Sequence, residues 1–236
     1  MHEKMLSVIV PVYNEKGTIN EILRRIEAVD IPKEIIIVDD FSTDGTREIL
    51  RKIRKRNIKI VYHEKNSGKG AAIITGIKHV SGDMVIIQDA DLEYDPQDYK
   101  QLVKPIIENK TAVVYGTRFA RIGLKDLFNR KIIRNPVYYI GNRFLTFMTN
   151  LIYFRWITDM ETCYKVFRTE VIRNLNLKSK RFDIEPEISA KILKKGYKIV
   201  EVPISFHPRS FEEGKKITWR DGIVALGVLL KYRFSD

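Results

Sequence analysis

The sequence predicts an α/β fold, a single domain in which helices flank a mostly parallel, doubly wound central sheet. Short apolar runs alternate with segments of helical periodicity through residues 6–120. Strands that are separated by helices at this spacing pair in parallel. Length and composition agree, because 236 residues with 44% hydrophobic residues are enough for one large domain with a sizeable core.

Each element has a local signal. Runs of β-branched and aliphatic residues predict strands at residues 6–12, 34–38, 58–62, 84–87 and 112–115. Helices are predicted from Thr18 to about residue 29, from residue 46 to about 56, over 71–80, from residue 95 to about 108, and over about 219–233. Thr18 and Glu21 have the spacing of a capping box, and Asp44 is interpreted as a helix cap.

The central feature is a group of acids directly after the predicted strand Met84–Ile87. Asp89, Asp91 and Glu93 stand at alternate positions. Residues two apart in an extended segment point to the same side, ~6.6 Å apart, so Asp89 and Asp91 can share one small cation. A hard divalent ion would relieve their mutual repulsion and keep coordination positions for a phosphate-bearing substrate. The alternative is a solvated acidic loop, which is the more common explanation of an isolated Asp-x-Asp.

Polar or charged residues follow four of the predicted strands where each strand ends. They are Tyr13 and Glu15, Asp39 and Asp40, Asp89 and Asp91, and Arg118. Ligands of doubly wound sheets bind outside the carboxyl ends of the strands. Helix caps could explain one or two of these groups, but hardly all four. The sequence therefore predicts a binding site along this edge.

Several classes of site are excluded. The turn after the first strand lacks the glycines of a dinucleotide site, and Gly70 stands where a P-loop needs Ser or Thr. Paired zinc-ligand spacing and an RNP1 string are missing, so no nucleic acid is expected, although the net charge of +12 asks for an anionic partner. One cysteine, Cys163, suits a reducing cytoplasm and is expected to be buried and inert.

Five segments of the first half occur in the order and spacing of a known family. They are Val10-Pro11-Val12-Tyr13-Asn14-Glu15, Val38-Asp39-Asp40-x-Ser42-x-Asp44-Gly45-Thr46, Asn66-x-Gly68-Lys69-Gly70-Ala71, Asp89-Ala90-Asp91 and Gly116-Thr117-Arg118. Together they resemble family 2 glycosyltransferases of the GT-A fold, especially the dolichol-phosphate mannose synthase and polyprenyl-phosphate glycosyltransferase branch. The second half adds two segments, residues 159–168 and 208–216, so the resemblance covers nearly the whole chain.

This resemblance implies a role for each matching residue. It implies a nucleoside site formed by Pro11, Tyr13, Glu15, Val38 and Asp40, in which Asp40 meets the base and Glu15 the ribose or the base edge. Asp89 and Asp91 would bind Mg²⁺ or Mn²⁺, Ala90 would line the diphosphate, and Glu93 would be a less secure ligand where relatives usually have Gln. Arg118, Arg209 and Lys215 would neutralise donor or acceptor phosphates; the role of Lys69 stays open. Residues 1–120 would form the donor half, and 121–236 the acceptor-binding half of the same domain.

Residues 119–157 mix cations with large apolar and aromatic side chains. This mixture is typical of an interfacial segment on an anionic membrane, and equally of a partly buried amphipathic helix. In the first interpretation Arg130 or Arg134 would bind a lipid phosphate. The charge-free stretch Phe144–Phe154 is half the length of a spanning helix, and no signal peptide is recognised. The expected location is cytoplasmic, with peripheral contact to the inner membrane face or to a membrane-protein partner left open.

Three hypotheses remain. The first is a metal-dependent inverting transfer of one hexose, from GDP-mannose or UDP-glucose, to a polyprenyl or dolichyl phosphate, which needs no strong base because a phosphomonoester is already anionic. The second is the same donor chemistry on a saccharide hydroxyl, which does need a base; Asp159 is the only candidate. The third is a basic anion- or nucleic-acid-binding protein whose acids are structural. The missing Gln-x-x-Arg-Trp motif favours single transfer.

Overall fold

The computed structural model describes residues 4–119, 136–209 and 219–235. A seven-stranded sheet forms its centre, with the strand order β3-β2-β1-β4-β6-β5-β7. The strands are β1 Leu6–Val12, β2 Lys33–Asp39, β3 Ile58–Tyr62, β4 Met84–Ile87, β5 Val113–Thr117, β6 Lys165–Arg168 and β7 Ile199–Pro203. Only β6 runs antiparallel to its neighbours, so the predicted mostly parallel α/β sheet is confirmed.

Helices cover the sheet. They are α1 Ile19–Glu27, α2 Thr46–Leu50, α3 Lys69–Ile77, α4 Tyr99–Ile107, α5 Pro136–Tyr153, α6 Thr169–Arg173, α7 Ile184–Lys194 and α8 Trp219–Phe234. A single turn of 3₁₀ helix, Pro96–Asp98, leads into α4, and the Asp95 side chain accepts a hydrogen bond from the Gln97 N–H. In the described ranges, no helix combines the length and the apolar character that crossing a membrane requires.

The core is built from the apolar runs of the central strands. Residues 35–38 of β2 and all four residues of β4 are buried, as are Val8, Ile9 and Val10 of β1. These strands lie inside the sheet and have both faces covered, which is why their sequences read as continuous apolar runs. Each buried Val or Ile contributes roughly 1.5–3 kcal/mol relative to exposure, so this centre fixes the strand register.

The strand order places the functional edge. The chain moves from β1 outward through β2 to β3, and then returns to β4 on the other side of β1. This reversal leaves a crevice between the carboxyl ends of β1 and β4, where doubly wound sheets bind ligands. The second half of the chain supplies β6 and β7, so both halves build one sheet and one domain.

Two local predictions were wrong. The Thr18 hydroxyl makes no cap bond to its helix and instead donates to the Glu15 carboxylate (2.8 Å). Glu21 pairs with Arg24 and Arg25, so there is no capping box.

The helix that starts at Thr46 was the second error, because it ends at Leu50 rather than near Arg56. Residues 51–56 carry five cations, and like charges four apart on a helix repel, which explains the early end. Asp44 does cap the start of this helix, since its Oδ1 accepts from the Thr46 N–H (3.0 Å).

Candidate active site

Three non-glycine residues with a strained backbone lie at the carboxyl ends of three strands. Asn14, Phe41 and Leu92 follow β1, β2 and β4, and each has a left-handed φ of 54° or 66° although none is glycine. Such residues cost of order 1 kcal/mol or more and persist where surrounding contacts hold them. Here the Asn14 N–H donates to Ser42 Oγ (3.0 Å), and the Asn14 side chain accepts from the Thr43 N–H (2.8 Å). The first two loops are thereby tied together.

The Asp40 side chain holds the glycine loop, residues 66–70. Its Oδ1 accepts from the Ser67 N–H (2.8 Å) and meets His63 Nδ1 (2.7 Å), and its Oδ2 accepts from the Gly68 N–H (2.7 Å). This buried carboxylate is therefore already well bonded. The predicted contact between Asp40 and a base stays a prediction; Oδ2, which accepts one of these bonds, has acceptor capacity left for it.

Glycine is required in this loop for two reasons. Gly68 has a φ of 96°, which disfavours any side chain, and a Cβ on Gly70 would lie 2.4 Å from the Ser179 carbonyl oxygen. The loop packs directly on the backbone before α7, where the Ala71 N–H donates to the Lys180 carbonyl (3.1 Å). Close packing here brings Lys69, at the start of α3, next to α7.

The other predicted nucleoside residues lie at the ends of β1 and β2. Tyr13 is 37% exposed, whereas Glu15 is largely buried and accepts from Thr18. Val38 and Ala90 have buried side chains, so a ligand would reach them through their backbone. The structure therefore brings the predicted set to one edge. Their roles toward a nucleotide remain predictions.

Two cationic side chains neutralise the central acids. Lys69 Nζ lies 2.7 Å and 2.9 Å from the two Asp89 carboxylate oxygens, and Arg209 Nη2 lies 3.3 Å from Asp91 Oδ2. Arg209 Nη2 is also 3.6 Å from Glu15 Oε1. Burial, reinforced by the charges of Asp89 and Glu93, raises the pKa of Asp91 to about 7. Lys69 and Arg209 therefore do not fully neutralise the charges of Asp89, Asp91 and Glu93.

The described residues offer a divalent ion a pair of acids rather than a group of three possible ligands. In the part of the chain that the structure describes, no three His, Cys, Asp or Glu residues are grouped to enclose a metal. Glu93 Oε1 instead accepts from the Arg209 N–H (2.7 Å), which weakens the prediction of Glu93 as a ligand. Mg²⁺ is often held by one or two carboxylates plus substrate phosphates. Asp89 and Asp91 supply such a pair.

Arg118 and Asp159 form a buried bidentate ion pair. Arg118 Nε and Nη2 each lie 2.7 Å from an Asp159 oxygen, and the Arg118 N–H donates to the same carboxylate (3.0 Å). The side chains are 9% and 0% exposed. In this arrangement Arg118 has its charge neutralised and Asp159 has both oxygens occupied. The predicted role of Asp159 as a base would require the pair to open. Arg118 keeps Nη1 outside the pair, and its role as a phosphate ligand stays a prediction.

The sequence interpretation missed a buried polar group beneath the acids. Lys165, in β6, is fully buried and donates to Glu185 Oε2 and to the Thr162 carbonyl. Burial raises the pKa of Glu161 to about 7. Two acids, Glu185 and Glu187, in the first turn of the largely buried helix α7 were the available signal for Glu185. Cys163 is buried, and burial raises its pKa, as expected for an inert thiol. Lys215, Arg130 and Arg134 lie outside the described residues.

The chain is similar to known proteins in sequence and in fold. The model of the family described as glycosyl transferase family 2 matches residues 7–175. A dolichol-phosphate mannosyltransferase of Pyrococcus furiosus is 32% identical over 215 residues, 89% of this chain and 58% of that protein. A UDP-N-acetylglucosamine–dolichyl-phosphate N-acetylglucosaminyltransferase of Methanococcus voltae is 29% identical over 223 residues, which are 86% of each chain. The chain thus spans little more than half of the Pyrococcus relative.

Solved structures confirm the GT-A fold. Glucosyl-3-phosphoglycerate synthase from Mycobacterium tuberculosis, in complex with UDP, superposes with a TM-score of 0.68 at 19% identity, covering 99% of this chain and 81% of that one. The mannosyltransferase PcManGT from Pyrobaculum calidifontis, in complex with GDP-Man and Mn²⁺, gives a TM-score of 0.61 at 22% identity, with 86% and 56% covered. Fold and family match agree with the predicted resemblance: the chain belongs to glycosyl transferase family 2.

Proposed function

We propose that this protein is a metal-dependent inverting glycosyltransferase that moves one hexose from a nucleotide sugar to a polyprenyl or dolichyl phosphate at a cytoplasmic membrane face. Family membership supports the reaction class. The names of the Pyrococcus and Methanococcus relatives, both of which refer to dolichyl phosphate, support the acceptor class. The remaining support comes from two surfaces of the chain.

Arg209 gives the main support for the proposed binding of the nucleotide-sugar donor. Its Nε is buried and has no hydrogen-bond partner among the described residues, while its Nη2 faces Asp91 and Glu15. A buried donor without an acceptor costs about 1–3 kcal/mol, which a ligand oxygen would recover. A phosphate beside the paired acids is the chemistry that satisfies it, because Arg presents a planar fork of donors.

Exposed apolar side chains support the proposed lipid acceptor. On α5 they recur at helical spacing and continue onto the following turn: Ile140, Phe144, Phe147, Leu151, Phe154 and Trp156 are all more than half exposed. Helix α8, which packs against α5, adds Ile223, Val224 and Phe234. Exposed cations, among them Arg143, Arg155 and Lys231, lie on these two helices or directly after α5. An apolar surface flanked by cations suits anionic lipid and a prenyl chain better than a saccharide.

The chemistry follows from these positions. An oxygen of the acceptor phosphate attacks the anomeric carbon while the bond to the nucleoside diphosphate breaks, so negative charge grows on the leaving group. Asp89 and Asp91 would hold Mg²⁺ or Mn²⁺, which supplies Lewis-acid stabilisation of that charge. Arg209 stabilises the same charge. Because the acceptor is anionic, no base is needed, and Asp159 can stay paired with Arg118.

The alternatives gain less support. A saccharide hydroxyl would need a base, and the Asp159 oxygens are both engaged by Arg118. Nucleic-acid binding has the net charge of +12 in its favour, but this charge is equally suited to lipid headgroups.

A donor and acceptor panel tests the proposal. Purified protein would be incubated with GDP-mannose, UDP-glucose or UDP-N-acetylglucosamine, with Mn²⁺, Mg²⁺ or EDTA, and with or without polyprenyl phosphate in vesicles. We expect a glycosylated lipid phosphate with one donor, only in the presence of metal. Transfer to oligosaccharides but not to the lipid phosphate would refute the proposed acceptor, and equal transfer in EDTA would refute the metal.

A further inference from the structure

The Lys69 ammonium lies between two carboxylates that it contacts unequally. Nζ is 2.7 Å and 2.9 Å from the Asp89 oxygens and 3.8 Å from Glu185 Oε1. The lysine is 16% exposed, and the glycines on both sides press its loop onto the backbone before α7. Its backbone is thus fixed, while the end of its side chain has two carboxylate acceptors within about an ångström of travel, and the Cys163 Sγ lies 3.9 Å from Nζ.

Glu185 has a vacant acceptor on the side that faces Lys69. Its Oε2 accepts from Lys165, but its Oε1 is buried and has no hydrogen-bond partner in the described parts of the chain. Glu185 as a whole is 5% exposed, so water does not readily satisfy this oxygen. A buried acceptor left unpaired is costly, which indicates that it is used in another state of the protein.

The balance of charges around Lys69 indicates that this other state is the metal-bound one. Lys69 and Lys165 neutralise Asp89 and Glu185, so the four groups together carry no net charge. A divalent ion on Asp89 would compete with Lys69 for the same oxygens. Buried charges without partners cost several kcal/mol, so a displaced lysine needs another anion nearby. Glu185 Oε1 is the acceptor in reach.

We infer that Lys69 is an internal counter-ion that alternates between two positions: on Asp89 when no metal is bound, and on Glu185 Oε1 when a divalent ion occupies Asp89. Glu185 is then a positioning residue, because it acts on the metal only through Lys69. This inference rests on the proposed metal site. It adds that Asp89 stays neutralised between turnovers, and that the affinity for the metal is set by competition with Lys69.

Mn²⁺ binding, measured by calorimetry or electron paramagnetic resonance without nucleotide, tests the inference. Lys69→Met removes the competitor, so we expect Mn²⁺ to bind about tenfold more tightly, which corresponds to one charged hydrogen bond. Glu185→Gln weakens the second position, so Mn²⁺ should bind about tenfold less tightly. In the Lys69→Met background the same Glu185→Gln change should alter affinity by less than about twofold, because the coupling is lost.

Glu187→Gln is the matched control. Glu187 is another buried acid of α7. It pairs with Lys191 and accepts from the backbone N–H groups of Lys178 and Ser179, and its carboxylate does not contact Lys69. We expect it to leave Mn²⁺ affinity unchanged, and thermal unfolding of each variant would verify the fold. Equal weakening by Glu185→Gln in both backgrounds, or weaker binding in Lys69→Met, would overturn the inference.

The outcomes also separate this inference from the proposed function. Mn²⁺ binding to the unmodified protein with no effect of Glu185→Gln would refute the second position of Lys69 and leave the metal site standing. No Mn²⁺ binding to the unmodified protein, with a nucleoside diphosphate present as well as absent, would refute the metal site and this inference together, while the donor and acceptor panel tests the transfer reaction separately. In crystals soaked with Mn²⁺, we expect Lys69 Nζ within hydrogen-bond distance of Glu185 Oε1.

Discussion

Two surface regions of the molecule are opposite in character, one polar and one apolar. The edge formed by the ends of β1, β2 and β4 is polar, and its acids are bonded to other parts of the chain: Asp40 to the glycine loop, Asp89 to Lys69 and Asp91 to Arg209. The face formed by α5 and α8 instead presents large apolar side chains to solvent, such as Phe147 and Phe154.

This difference separates two ways of preparing a surface for a ligand. Charged groups at a sheet edge must be paired with other side chains of the protein as long as no ligand is bound, because an unpaired buried charge is destabilising. Apolar groups on a helix need no such partners. While they are exposed, their contact with water is unfavourable, and covering them removes this cost. In the proposed function the first region binds the donor and the second faces the lipid acceptor.

The largest expected effect lies at the polar edge. Asp91→Ala removes half of the proposed metal-binding pair, so transfer should fall by more than about a hundredfold while the fold is kept. Turnover and circular dichroism would be measured together, with Asp30→Ala, an exposed acid outside the site, as the control. Full activity of Asp91→Ala would disprove the site.

Charged substitutions on the apolar face formed by α5 and α8 should weaken membrane binding without affecting donor binding. Combining Phe144→Asp with Phe147→Asp should reduce partitioning onto anionic vesicles by at least about tenfold, because two large side chains no longer enter the interface. Nucleotide binding should stay unchanged. Ile107→Asp, at the exposed end of α4, is the matched control. Unchanged vesicle binding of the double variant would contradict the assignment of this face.

The Arg118–Asp159 pair distinguishes positioning from base catalysis. Asp159→Asn leaves a buried arginine without its anion, so the free energy of unfolding should fall by about 3 kcal/mol, as measured by denaturant titration. Removing both charges with Arg118→Met and Asp159→Leu should recover part of that loss. Transfer abolished in Asp159→Asn with unchanged stability would instead identify Asp159 as a base.

A smaller effect concerns stability and pH. The folded pKa of Asp91, about 7, lies above its usual value of 3.8, so this group contributes stability at low pH that is lost as the pH rises through about 7. Asp91→Asn removes this dependence. Its melting temperature should therefore exceed that of the unmodified protein at pH 8 by on the order of 3 °C, and the difference should shrink at pH 5. An equal difference at both values would contradict the raised pKa.

Local sequence signals predicted most of the sheet and the edge at which the candidate site residues meet. Residues 84–87 form a buried strand because their apolar run has no polar position to expose, and Asp89 and Asp91 follow it directly. The parallel order then brings Glu15, Asp40 and Asp91 to one edge. These features depend on short stretches of chain, which is why they could be recognised without coordinates.

Partners far apart in the chain could not be predicted in this way. Arg118 and Asp159 were assigned separate roles, but a bidentate ion pair joins them although they stand 41 positions apart in the sequence. Lys69 and Glu185 meet only because the glycine loop packs on the backbone before α7. The early end of α2 depends on charge repulsion that a helical pattern alone does not reveal.

The most direct test of the central claim is anomalous scattering from crystals soaked with Mn²⁺ and the donor identified by the panel. We expect one manganese peak bound by Asp91 and Asp89, with diphosphate oxygens completing its coordination and Arg209 contacting the diphosphate. A manganese ion and a nucleotide bound together at some other part of the surface would contradict the account.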